Sequence, residues 1–122
     1  MKPIIFKTRD ELVKVEPDKM VYAEADGNYV YINMRNGQRL MITITLQNFE
    51  QLIANAAGEN AGRFIRIGRR YIVDKRYITA ISTLKQQLLL TDSDTIKPII
   101  LNVPKEALKT LKQKLTEDDL WK

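Results

Sequence analysis

Two runs of alternating side chains meet across an Asn-Gly pair, and no other feature constrains the fold as strongly. In Asn28 to Met34, Val30, Ile32 and Met34 lie on one side, with Tyr29, Tyr31 and Asn33 on the other. In Arg39 to Thr45, Leu40, Ile42 and Ile44 alternate with Met41, Thr43 and Thr45. A period of two is that of a strand with one buried face. The link Arg35-Asn36-Gly37-Gln38 carries the dipeptide that most favours a tight hairpin, in which both central residues take positive φ. Antiparallel sheet is therefore expected at the centre of the fold.

Further short strands are expected at Ile4 to Lys7, Glu11 to Val15, Met20 to Ala25, Phe64 to Ile67 and Arg70 to Val73. Others follow at Tyr77 to Leu84, Gln87 to Thr91 and Ile99 to Asn102. Pro17-Asp18, Asp26-Gly27 and Asp92 to Asp94 supply turns. The period changes after Thr45. Leu46, Phe49, Leu52, Ile53 and Ala56 recur at helical spacing, with Thr45 able to cap the start and Gly58 able to end it in the left-handed conformation. Gly58 to Gly62 is expected to be loop. A second helix is expected to begin at Pro104, with Ala107, Leu108, Leu111 and Leu115 as its apolar face. Its Glu106 lies near the positive end of the helix dipole, and Lys109, Lys112 and Lys114 lie toward the negative end. That placement accounts for the lysine run without a ligand. Phe6, Phe49, Phe64 and Trp121 are assigned to packing. With no βαβ rhythm, the fold class is α+β, mostly antiparallel β. A length of 122 residues fits a single domain over 1–122 that can bury a core without cross-links.

The chain has no cysteine and no histidine. That removes thiolate nucleophiles, disulfides and the commonest general base and zinc ligand. No Gly-rich phosphate loop, nucleophile–base pair or carboxylate cluster stands out, so neither an enzyme nor a bound metal or cofactor is expected. The apolar run Ile4 to Phe6 is too short for a signal segment, and no window approaches a membrane span. A soluble cytoplasmic protein without membrane insertion is the expectation.

Charge is concentrated in one place. The stretch RFIRIGRRYIVDKRYITAI, residues 63 to 81, holds six bases (Arg63, Arg66, Arg69, Arg70, Lys75 and Arg76) and one acid, Asp74. It carries +5, and the remaining 14 basic and 14 acidic residues cancel, so the whole formal charge of +5 sits here. A localised basic stripe suits a polyanion. A solvated strand edge, kept from pairing by its charges, gives the same pattern. Gly68 interrupts the strand pattern and marks a bend or a close backbone approach. Arg69 and Arg70 then stand at the tip of a short connection, where a guanidinium fork fits phosphate or the O6/N7 edge of guanine. A second tip follows at Asp74-Lys75-Arg76.

Three segments here resemble the LytTR family of bacterial DNA-binding domains. They are Met20-Val21-Tyr22-Ala23-Glu24-Ala25-Asp26-Gly27-Asn28-Tyr29-Val30, the helix after Thr45 through Leu52, and Phe64-Ile65-Arg66-Ile67-Gly68-Arg69-Arg70-Tyr71-Ile72-Val73-Asp74 followed by Ile78 and Ile81. The resemblance extends over residues 5 to 115. Three positions depart from the family pattern: Gly68 replaces a frequent histidine, Arg70 a serine and Asp74 an asparagine.

The resemblance implies an elongated stack of small antiparallel sheets with two short helices. It further implies a response-regulator-like transcription regulator that reaches the DNA major groove through loops between strands. Two copies on direct-repeat half-sites, as a homodimer on DNA, are implied as well. Members commonly carry a receiver or membrane-sensing domain ahead of this one. None precedes it in this sequence, which suggests a stand-alone regulator governed by abundance, a ligand or a regulatory protein partner, or a piece of a longer chain.

Carried over by position, the contacts are the Asn28-Tyr29 turn, the Arg69-Arg70 tip and the helix start at Lys105. Arg69 is assigned to a guanine edge or a phosphate. Arg66, Arg70, Lys75 and Arg76 are assigned to phosphates, which position without reading sequence. Asn28 either pairs with adenine or simply serves its turn. Tyr29 either touches sugar or base methyl or packs on the sheet. Lys105 is a cation in a first helical turn, where the dipole does not favour one. An RNA-binding β module stacking bases on Tyr29, Tyr31, Tyr71 and Tyr77, or a basic module for an acidic protein, are the competing expectations.

Overall fold

The computed structural model describes residues 1–92, 94 and 96–117. Trp121, expected to pack, lies outside them. Strand β1 (Ile4–Lys7) pairs with β2 (Leu12–Val15) as a small hairpin. Strands β3 (Met20–Asp26), β4 (Tyr29–Met34) and β5 (Arg39–Thr43) precede helix α1 (Leu46–Ala57). Then come β6 (Phe64–Ile67), β7 (Tyr71–Asp74), β8 (Ile78–Ser82), β9 (Gln87–Leu90), β10 (Ile99–Asn102) and helix α2 (Lys105–Glu117). The sheets are β1-β2, a central β5-β4-β3-β7-β6, and β10-β9-β8. Every pairing is antiparallel. The α+β stack of small sheets is as the sequence indicated.

The central sheet is covered on two faces. On one, α1 and the β1-β2 hairpin bury Val15, Met20, Ala23, Val30, Ile32, Phe49 and Ile72. On the other, the third sheet and α2 enclose Val21, Ile67, Tyr71, Val73, Leu88, Leu90, Leu108 and Leu111. Consecutive residues of β7 serve opposite cores, so all four of its side chains are buried. Helix α1 starts as expected, with Thr45 Oγ1 accepting from Asn48 N at 3.1 Å; Gly58 ends it at positive φ, +56°, but with ψ −118°, not in the left-handed helical conformation. The expected loop after it winds as a 3-10 segment, Gly58–Arg63. Pro104 stands one residue ahead of α2, its carbonyl accepting from Leu108 N at 3.1 Å.

The hairpin turn differs in detail from expectation. Gly37 takes φ +89°, but Asn36 does not take positive φ. Gly37 N donates to Met34 O at 3.0 Å, Met34 N to Gln38 O at 2.9 Å, and Asn36 Oδ1 accepts from Gln38 N at 2.9 Å. A turn followed by one left-handed glycine is the three-residue, bulged solution to the same hairpin. It needs only one residue that tolerates positive φ, and the Asn36 side chain satisfies the next donor.

At the far end of β7, Asp74 is fully buried among cations. Its carboxylate accepts from Arg63 Nε at 3.1 Å and from Arg76 Nη2 at 3.0 Å, and caps Arg76 N at 3.0 Å. Arg63 Nη1 also reaches Asp18 Oδ1 at 3.0 Å, and Arg76 Nη2 donates to Asp18 O at 3.1 Å. This latch joins β7 to the turn before β3. A buried carboxylate is tolerable only when so paired.

Phe49→Ala removes a fully buried ring that packs 6.2 Å from Phe6. We expect it to lower stability by about 3–5 kcal/mol in urea unfolding. Asp74→Asn is expected to cost about 3 kcal/mol, because two guanidinium groups lose their shared counter-charge. The Arg63 hydrogen bond holds the Asp18 carboxyl below its ordinary 3.8. That contribution is complete above 3.8 and is lost as pH falls through the lower folded value. Acid titration of Asp18→Asn should therefore lack this part of the wild-type loss of stability.

Candidate nucleic-acid interface

Antiparallel pairing decides which loops share an end of the molecule. Strand β3 runs beside β7, with Tyr22, Ala23 and Glu24 opposite Val73, Ile72 and Tyr71. Ala25 N donates to Arg70 O at 2.8 Å, extending the ladder to its last pair. The β3-β4 turn and the β6-β7 turn therefore emerge at one end, side by side. The first is Gly27-Asn28, with Gly27 at φ +60° and Asp26 opposite Tyr29. The second is Gly68-Arg69-Arg70, with Gly68 at φ +59°. Strand β7 begins at Tyr71, one residue later than expected, which leaves Arg70 in the loop beside Arg69.

Helix α2 starts at this same end. A Cβ built on Gly68 would stand 3.6 Å from the Ala107 Cβ. Lys105 is exposed in that first turn. Between the β6-β7 tip and the strand before α2 lies a cleft of about 670 Å³. Lys85 and Gln86 of the β8-β9 turn and Asn102 at the end of β10 complete its wall. Sequence inspection missed these residues, since the β8 strand was expected to run to Leu84. A lone Lys-Gln pair between strands gives little signal by itself.

The charges of the basic stretch are unevenly available. Arg63 and Arg76 are committed to the Asp74 latch. Arg66 lies on the α1 side, with Nη1 3.2 Å from Glu50 Oε1, while its Nε donates to Gly68 O at 3.1 Å and braces the tip. Arg70 pairs with Glu24: Nε donates to Oε2 at 2.8 Å, and Nη2 stands 2.6 Å from the same oxygen. This contact raises the already high pKa of Arg70. Among the described residues, Arg69 and Lys75 are the bases of the stretch without an ion pair. Arg69 is exposed at the tip and Lys75 is half-buried at the latch.

The sequence-selected residues thus divide. Asn28, Tyr29, Arg69, Arg70 and Lys105 gather at one end, all exposed. Lys75 and Arg76 lie beyond the other end of β7, on the order of 15 Å away along the strand. Arg66 sits behind the tip. Of the tyrosines, Tyr22, Tyr71 and Tyr77 are buried. Tyr31 is half-buried, with the Arg39 guanidinium 4.2 Å from its ring centroid. Only Tyr29 is exposed, at 41%. No helix among the described residues is long and apolar enough to cross a membrane. The gathered end presents hydrogen-bond donors on short turns.

No curated protein matches the chain. Among solved structures, it is similar to a LytTr DNA-binding domain from Bacillus cereus at 25% identity and a TM-score of 0.64. That match covers 94% of this chain and 97% of the other. The family model of the LytTr DNA-binding domain matches residues 10–116, and the chain accordingly belongs to the LytTr DNA-binding domain family.

Proposed function

We propose that the chain binds double-stranded DNA sequence-specifically, as a single domain of a cytoplasmic transcription regulator. The observation that carries this reading is the meeting of three separate segments at one end: the Asn28-Tyr29 turn, the Arg69-Arg70 tip and the α2 start at Lys105. Rigid turns that project donors at a spacing set by a sheet suit entry to the major groove, whose base edges carry a distinct pattern of acceptors and donors. Arg69 is exposed at the tip with no ion pair among the described residues, and takes a phosphate or a guanine edge. Lys105 and Lys85 flank it for the backbone. Lys75 and Arg76 fall outside this footprint, because they lie at the latch end. With one exposed tyrosine among the described residues, a stacking platform for single-stranded RNA is poorly supported. Occupation of direct-repeat half-sites by two copies belongs to the same proposal.

Fluorescence anisotropy on a short duplex, at about 50 and about 200 mM salt, tests the reading. Arg69→Ala should reduce the slope of log K against log salt by about 0.9, and Lys105→Ala by a similar amount. Lys75→Ala should leave the slope as it is. No binding at low salt, or slopes indifferent to Arg69 and Lys105, would direct attention to an acidic protein partner instead. Stoichiometry on a duplex selected from a random library should be two chains per repeat pair.

A further inference from the structure

Arg69 and Arg70 are neighbours on one tip, yet they are held differently. Arg69 has no side-chain partner among the described residues. Arg70 is gripped through both Nε and Nη2 by one oxygen of Glu24. The Glu24 side chain is only 14% exposed, whereas that of Arg70 is 61% exposed. The carboxylate is therefore the more buried partner, and the guanidinium side chain remains largely open to solvent. Glu24 is itself fixed. It sits in mid-strand on β3 between Tyr31 and Tyr71, and its other oxygen stands 3.7 Å from Arg39 Nη2. Arg39 in turn rests on the Tyr31 ring.

Such an arrangement changes what an arginine can contribute. Its charge is already compensated, so it adds little to counterion release. Its long side chain is already ordered, so little rotamer freedom remains to be lost on binding. A phosphate clamp needs a charge still uncompensated, the opposite of the first property, and gains little from the second. A base reader needs the second, because bidentate contact with a base edge requires the fork in one orientation.

Resting on the DNA reading above, we infer that Glu24 is a positioning residue that fixes Arg70 as a reader of base edges, not as a phosphate contact. Arg39 and Tyr31 support it from behind. The tip then combines a mobile cation, Arg69, with an oriented donor, Arg70.

The test compares a duplex selected by the wild-type protein with a scrambled duplex of equal composition, at fixed salt. Glu24→Ala should lower the ratio of selected to scrambled affinity about ten-fold, within the range a good bidentate contact supplies. Affinity for the scrambled duplex should be unchanged or tighter. Glu24→Gln, which keeps an acceptor, should fall between. Arg70→Lys keeps the charge and loses the fork, so it should lower the ratio as Glu24→Ala does. It also decides the matter if Glu24→Ala does not fold, because it leaves Glu24 and Arg39 in place. A merely structural role would shift the melting temperature and leave the ratio untouched. Tightening on both duplexes alike in Glu24→Ala would reveal a charge brake and overturn the inference. So would an unchanged ratio in Arg70→Lys while the wild type still discriminates, and the DNA reading would then survive alone. If the wild type binds neither duplex, the DNA reading fails and this inference with it.

Discussion

The antiparallel contact of β3 with β7 is the joint on which the rest of the molecule depends. It unites the N-terminal hairpin of β3 and β4 with the later hairpin of β6 and β7 in one sheet. Its register, Glu24 opposite Tyr71, sets both turns at one end and Asp18 near Asp74 at the other. A slip of one residue would reverse the facing of every β7 side chain. Ile72 would leave the core under α1, and Tyr71 and Val73 would leave the core under α2. Two cores demand the same register, which makes it unambiguous.

The latch and the tip show the same kind of contact put to different ends. At the latch, one carboxylate is fully buried and must be paired. Arg63 and Arg76 meet that need and tie the 3-10 turns at Pro17–Lys19 and Lys75–Tyr77 to the end of β7. At the tip, the carboxylate is half-buried and the arginine is turned to solvent. Position along β7 decides between them. The latch end faces the chain's own turns, and the tip end faces outward. Formal charge is thus a poor guide to the available charge of this stretch, since four of its six bases are in ion pairs.

Much of the fold could be read from local sequence, because alternation, capping and turn chemistry act over a few residues. Thr45 and the α2 stripe of Leu108, Leu111 and Leu115 each did what their local patterns implied, and Gly58 ended α1 at positive φ. The Asn36-Gly37 hairpin formed, though through one left-handed residue instead of two. What could not be read was long-range. Arg70 and Glu24 are 46 residues apart, and Arg63 and Asp18 are 45 apart. Which arginine finds which carboxylate depends on sheet order, and sheet order is not a local property. The same holds for the cleft wall at Lys85 and Asn102, which come from the β8-β9 turn and the end of β10. The basic stretch was correctly located as the place where the tip forms. Its division into a tip, a brace and a latch needed the pairing partners of β7.

That division also bears on how a small surface can discriminate between sequences. A free arginine gains from any phosphate, so it strengthens right and wrong sites together. Discrimination needs a donor that gains at the right site and loses at the wrong one. A compensated, oriented guanidinium has that property, because an unmatched base edge leaves it no alternative phosphate within its fixed reach. In the proposed reading, the cost of orientation is met within the folded protein, by the stack of Tyr31, Arg39 and Glu24 across β3, β4 and β5. Helices commonly supply such rigidity in DNA readers. In the proposed reading a sheet supplies it. The pleat places Glu24 and Tyr31 as cross-strand neighbours, and the end of the β7 ladder brings Arg70 to them. The tip is therefore as well ordered as the sheet register that builds it, and a loop only three residues long between Ile67 and Tyr71 leaves it little freedom to depart from that register.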